Sequence, residues 1–137
     1  MTRDQLEHVL RASAAITTDK SFVEGAIGQL SMFHDTFGYC ADGVGPETAR
    51  MPTDWMKSAS LHYIGELTVV VPDLHDIAVS KCVAGRDKDA EWIRGLFRHG
   101  MIDPARLESR LRALDVADGP VESWVAWARR RHEEAQA

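Results

Sequence analysis

Four residues in one short stretch have the types and spacing to act on phosphate. In "HDIAVSKCVAGRDKD", residues 75–89, Lys81, Arg86, Lys88 and Asp89 form a K-x4-R-x-K-D pattern. Three cations near a helix N-terminus can jointly hold a polyphosphate, because ammonium, guanidinium and helix dipole all favour negative charge there. Asp89 would then orient Arg86 or Lys88. The same residues also read as a brace. Lys81 lays its stem along apolar surface, Arg86 pairs with Asp89, and Asp87 caps the following helix. The spacing is not diagnostic in isolation, and physics alone favours the brace.

Other reactive side chains give less. The histidines, His8, His34, His62, His75, His99 and His132, include no HExxH and no i,i+4 pair, so no metal site is expected. Gly43-Val44-Gly45-Pro46 runs into a proline and an extended segment, which makes it a turn rather than a phosphate loop. No serine sits in a nucleophile elbow, and no catalytic residue is assigned. Cys40 and Cys82 match no zinc or disulfide framework and read as buried free thiols. Trp127 lies beside Arg129, Arg130 and Arg131 on a C-terminal helix. Tryptophan and arginine dominate interface hot spots, so Trp127 and Arg130 are candidate partner contacts; a peripheral aromatic on a core helix is the alternative.

The elements that must position these residues give an α+β chain, expected as a single domain over 1–137. Residues 1–72 read as a helix pair plus a small sheet, and 73–137 as a helical part. Thr2 and Gln5 make a capping box for a helix over 3–16. Phe22, Val23, Ala26, Ile27 and Leu30 fit one face of a second helix. "TFGYCADGVGPETARMP" reads as a strand, a turn and a further extended piece around Glu47 to Met51. Pro52 to Met56 forms a helical turn. "SLHYIG" and "ELTVVV" read as antiparallel strands joined at Gly65-Glu66, stopped by Pro72. Asp73 caps a helix that Gly85 ends. Three more helices follow: one carrying Trp92, Ile93, Leu96 and Phe97; one opened by Asp103-Pro104; and one opened by Gly119-Pro120 with a fraying polar end.

Charge is uneven. Residues 1–84 hold six basic and eleven acidic side chains, and residues 85–137 hold ten of each. The acidic part argues against direct nucleic-acid binding and suits a basic protein partner. Leu67 to Val71, apolar but for Thr68, is far too short for a membrane span, and the charged N-terminus is unlike a signal peptide, so a cytoplasmic location is expected.

Several runs carry a family resemblance. "EGAIGQLSMFHDTFGYCADGVGPETARMP", then "HDIAVSKCVAGRDKD" and "LFRHGMID", resemble an uncharacterised bacterial family with a nucleotidyltransferase fold. The opening "MTRDQLEHVLRASAAIT" is similar to that family's first helix. The resemblance covers most of residues 1–103. In the wider superfamily, which includes abortive-infection toxins and aminoglycoside nucleotidyltransferases, it implies that Lys81 approaches a triphosphate. Arg86, Lys88 and Asp89 would support that site. It also implies a Gly-Ser on a strand-to-helix turn and an Asp-x-Asp on the next strand, binding magnesium and the nucleoside triphosphate. This chain has no Gly-Ser, and its one Asp-x-Asp, Asp87-x-Asp89, falls at a charged helix start.

The expectation is therefore a catalytically degenerate nucleotidyltransferase-like protein that needs no cofactor and works as an acidic protein-binding module. Toxin–antitoxin pairs or phage–host conflict would be its setting, for example inhibition of a nucleic-acid-handling defence complex. Asp35, Asp42 and Glu47 are the acidic partner-binding candidates. Exposed edges of a shortened sheet would suit a homodimer. The alternative is an active enzyme that uses magnesium and a nucleoside triphosphate to modify an acceptor.

Overall fold

The computed structural model describes residues 2–16, 25–41, 49–65 and 67–137. Among these the chain is α+β: six α-helices, one 3-10 helix and a two-stranded sheet. It divides into two compact units, one of residues 1–49 with 61–69, the other of residues 50–60 with 70–137.

In the first unit, α1 spans Arg3–Ile16. Its start is the expected capping box. The Thr2 N–H donates to Gln5 Oε1 at 2.8 Å and the Gln5 N–H to Thr2 Oγ1 at 3.2 Å. Residues 25–27 are helical, but Leu30 has φ 66° and is 86% exposed, so it does not continue the expected apolar face. The strand expected at the start of "TFGYC", residues 36–40, is also corrected. Met32–Phe37 is a short helix, α2. Ser31 caps it by accepting from the His34 N–H, and Gly38 closes it in the left-handed region. These caps override the aromatic, strand-like composition between them. Of the further extended piece, Ala49 to Met51 belong to no helix or strand, and Glu47 and Thr48 lie outside the described residues. Phe33, Phe37 and Tyr39 pack their rings around His8, and His8 Nδ1 lies 2.6 Å from the Tyr39 hydroxyl.

The strands match expectation. β1 is Ser60–Ile64 and β2 is Leu67–Val71, and the two-residue link through Gly65 makes them antiparallel. Gly65 sits at φ 61°, and a Cβ there would fall 2.9 Å from the Arg11 guanidinium. The helical turn expected at Pro52 to Met56 forms slightly later, as the 3-10 helix Trp55–Ser58.

Four helices build the second unit: α3 (Leu74–Ala84), α4 (Asp87–Arg98), α5 (Pro104–Arg112) and α6 (Asp118–Gln136). Their core comprises Ala78, Val79 and Cys82 of α3, Ile93, Leu96 and Phe97 of α4, Leu107 and Leu111 of α5, and Val121, Val125 and Ala128 of α6. α4 packs on α6, and α5 on both α3 and α6. The polar end of α6 is helical to Gln136 rather than frayed. Glu134 there accepts from Arg94 Nη1 of α4 and from Arg131 Nη2, each at 2.9 Å. No helix among the described residues is long and apolar enough to cross a membrane.

Candidate functional site

The K-x4-R-x-K-D residues meet at the junction of α3 and α4. Gly85 ends α3 at φ 61° and ψ 23°, and its N–H donates to the Lys81 carbonyl at 2.9 Å. The chain then turns through Arg86 and starts α4. Arg86, not Asp87, is the N-cap; Asp87 is the first helical residue and is exposed. The capping carboxylate comes from Asp89 instead. Its Oδ2 accepts from the Arg86 backbone N–H at 3.2 Å and from Arg86 Nε at 2.7 Å. Oδ1 accepts from Arg86 Nη2 at 3.3 Å and lies 3.6 Å from Lys81 Nζ.

Asp89 is thus a buried anion between two cations. Its side chain is only 2% exposed, whereas that of Arg86 is 55% exposed and lies over it. The Arg86 hydrogen bond holds the Asp89 carboxyl below its ordinary pKa, outweighing the opposing effect of burial. Asp89 in turn raises the pKa of Arg86. Cys82 also senses this anion. Burial, and then the charge of Asp89, push its thiol up to about 12, so the thiolate is suppressed. Cys82 is buried as expected, while Cys40 is only partly so.

On the solvent side, Lys81, Lys88, Asp89 and Trp92 line a shallow depression of about 320 Å³. Lys81 Nζ stands 5.9 Å from the Trp92 ring centroid, within cation–π range. Lys88 is exposed and makes no ion pair among the described residues. The structure therefore joins Lys81, Arg86 and Asp89 in one ion-pair cluster and leaves Lys88 at its rim.

The other candidates lie elsewhere. Asp35 is exposed on α2. Asp42 and Glu47 lie outside the described residues. Trp127 is half-buried against the core of the second unit, with the Arg131 guanidinium 4.9 Å from its ring centroid. Arg130 is exposed.

One cluster went unread in the sequence. Asp76, fully buried, accepts from Arg110 Nε at 2.6 Å and Nη2 at 3.1 Å, and Arg110 Nη2 also lies 3.1 Å from Asp54. Asp76 was legible only as a first-turn acid, since its partner sits 34 positions away.

A magnesium ion does not fit these residues. Both buried carboxylates, Asp76 and Asp89, already have their oxygens on arginine, and no group of three or more possible ligands occurs among the described residues.

Residues 14–125 match the sequence profile of a family described as nucleotidyltransferase of unknown function (DUF6036). The chain belongs to this family. The DUF6036 match spans α2, both strands, α3, α4 and α5, and includes Lys81, Arg86, Lys88 and Asp89. Trp127 and Arg130 lie beyond it. The chain is therefore nucleotidyltransferase-like over most of its length. Searches of curated proteins and of solved structures returned no match.

Proposed function

We propose that this chain is a catalytically degenerate nucleotidyltransferase-like protein that acts by binding another protein. The observation that carries this is the convergence of Arg86 and Lys81 on the buried Asp89 carboxylate. In this reading the two cations are held on Asp89 and brace the helix junction, a structural task that needs no triphosphate. The sequence agrees, since its one Asp-x-Asp is the start of α4 and no Gly-Ser precedes it. In this reading the segment that carries catalysis in related enzymes has been lost, and the junction marks ancestry. The acidic N-terminal part supplies the binding face, through Asp35, Asp42 and Glu47, toward a basic partner that handles nucleic acid. A toxin–antitoxin pair or a phage-defence complex is the setting that suits such a remnant. A second copy pairing along β1 or β2 would cover strand edges that carry no charged residue.

Pull-down from the source cell tests the reading. Charge reversal at Asp35, Asp42 and Glu47 is expected to abolish recovery of the partner, and unchanged recovery would sink the proposal. Incubation with labelled nucleoside triphosphates, magnesium and candidate acceptors is expected to give no transfer. Transfer that disappeared in Lys81→Ala would restore the enzyme.

A second reading has one observation of its own. Lys81, Lys88 and Trp92 line an open depression, which suits a nucleotide retained as a ligand rather than a substrate. Saturable quenching of tryptophan fluorescence by a nucleoside triphosphate, lost in Trp92→Phe and weakened in Lys88→Ala, would establish it.

A further inference from the structure

His75 ties together the starts of two helices. It lies in the first turn of α3 and is 8% exposed. On one side of the ring, Nδ1 is 3.0 Å from Asp73 Oδ1, the N-cap carboxylate of α3. On the other, Nε2 is 2.9 Å from the backbone nitrogen of Asp103, the N-cap of α5. A backbone N–H can only donate, so Nε2 must be the lone-pair nitrogen. The proton then sits on Nδ1 and is donated to Asp73.

The arrangement holds for the neutral ring alone. A proton on Nε2 would face the Asp103 N–H donor to donor, and that bond would be lost. The Asp73 bond would survive and strengthen, because a carboxylate prefers the imidazolium. Asp73 is held toward its ionised form. Its pKa lies below the ordinary value: burial opposes this, and the His75 hydrogen bonds and Arg106 outweigh it. The two sides of the ring therefore respond oppositely to one proton.

The charged groups linked to His75, directly or through its partners, include Asp54, which lies 3.1 Å from Arg110 Nη2. From α3 come Asp73 and the neighbouring Asp76, which is held by Arg110. From α5 and its cap come Asp103 and Arg106; the Arg106 N–H donates to Asp103 Oδ2 at 2.7 Å, and Arg106 Nη2 lies 3.1 Å from Asp73 Oδ2. No charged side chain of α4 or α6 is hydrogen-bonded or ion-paired to the ring among the described residues. Just before Asp103, Ile102 is 5% exposed and the Met101 N–H donates to the Leu96 carbonyl at 2.9 Å. These contacts keep the α4–α5 connection in place, so loss of the His75 bond acts locally on the start of α5.

We infer that His75 is an acid-sensitive latch: protonation at Nε2 ejects the Asp103 N–H and loosens the N-terminus of α5 while the Asp73 bond holds. Backbone and imidazole resonances of the 137-residue chain, followed across roughly pH 5 to 8, test it. The Asp103 amide should lose exchange protection by about fivefold, the loss of one net hydrogen bond. Its midpoint should coincide with the titration of the His75 ring. His75→Gln should make Asp103 protection independent of pH in this range. His99→Gln, which alters an exposed imidazole at the end of α4, should leave the transition in place. A His75 ring that titrates with no change at Asp103 overturns the latch. So does a transition that persists in His75→Gln or vanishes in His99→Gln. The wild-type titration decides the matter even if His75→Gln does not fold.

Discussion

Asp76 is fully buried with both oxygens on Arg110, so replacing Arg110 by alanine would leave an unpaired charge in the core. Loss of one partner from a buried pair costs about 3–5 kcal/mol. Urea unfolding of Arg110→Ala should show a loss of about that size with no change in slope. Asp89 makes a different prediction, about pH. Its folded pKa lies below the ordinary 3.8, chiefly through the Arg86 hydrogen bond. A depressed carboxylate stabilises the fold fully above the unfolded value, and the contribution is lost as pH falls through the folded one. Acid should therefore weaken the wild type progressively from about pH 5 downward. Asp89→Asn, already weaker at neutral pH, should show a flatter profile when stability is measured by denaturant at each pH.

At the scale of elements, helix ends decide most of the second unit. Gly85 occupies the left-handed region at φ 61°, and an added Cβ would meet nothing closer than the Cys82 carbonyl at 3.7 Å. The space is adequate, so Gly85→Ala should cost only the backbone strain, about 1–2 kcal/mol by thermal or urea unfolding. Caps of this kind are local and were legible. Thr2 with Gln5, Asp73, Gly85 and Asp103-Pro104 all fall where the sequence predicts. Local signals misled where two of them competed. Around Phe37 the aromatic composition favours a strand, but Ser31 and Gly38 bracket a six-residue helix and prevail. At the start of α4 the short acid Asp87 looks like the cap, yet Asp89 reaches the Arg86 N–H and displaces it. Of the candidate site, the Arg86–Asp89 pair could be read from three-residue spacing. The Asp76–Arg110 pair and the His75 bridge to Asp103 could not, because they depend on how α5 packs on α3.

For the whole molecule, the deciding property is the split of charge between residues 1–84 and the rest. If the acidic part forms the binding face, the affinity for a basic partner should fall by about tenfold or more between low and high salt, since exposed charges are screened within a Debye length. A salt-independent affinity from titration calorimetry would shift attention to Trp127 and the uncharged strand edges. The Asp89 knot has a last consequence, in time rather than space. It joins residues three and eight positions apart, whereas Asp76 meets Arg110 across 34. Closing the longer loop costs about 1.3 kcal/mol more in chain entropy. The α3–α4 hairpin should accordingly form early in folding, with α5 docking onto it afterwards. Stopped-flow kinetics should find that Asp89→Asn mainly slows folding, while Arg110→Ala mainly speeds unfolding.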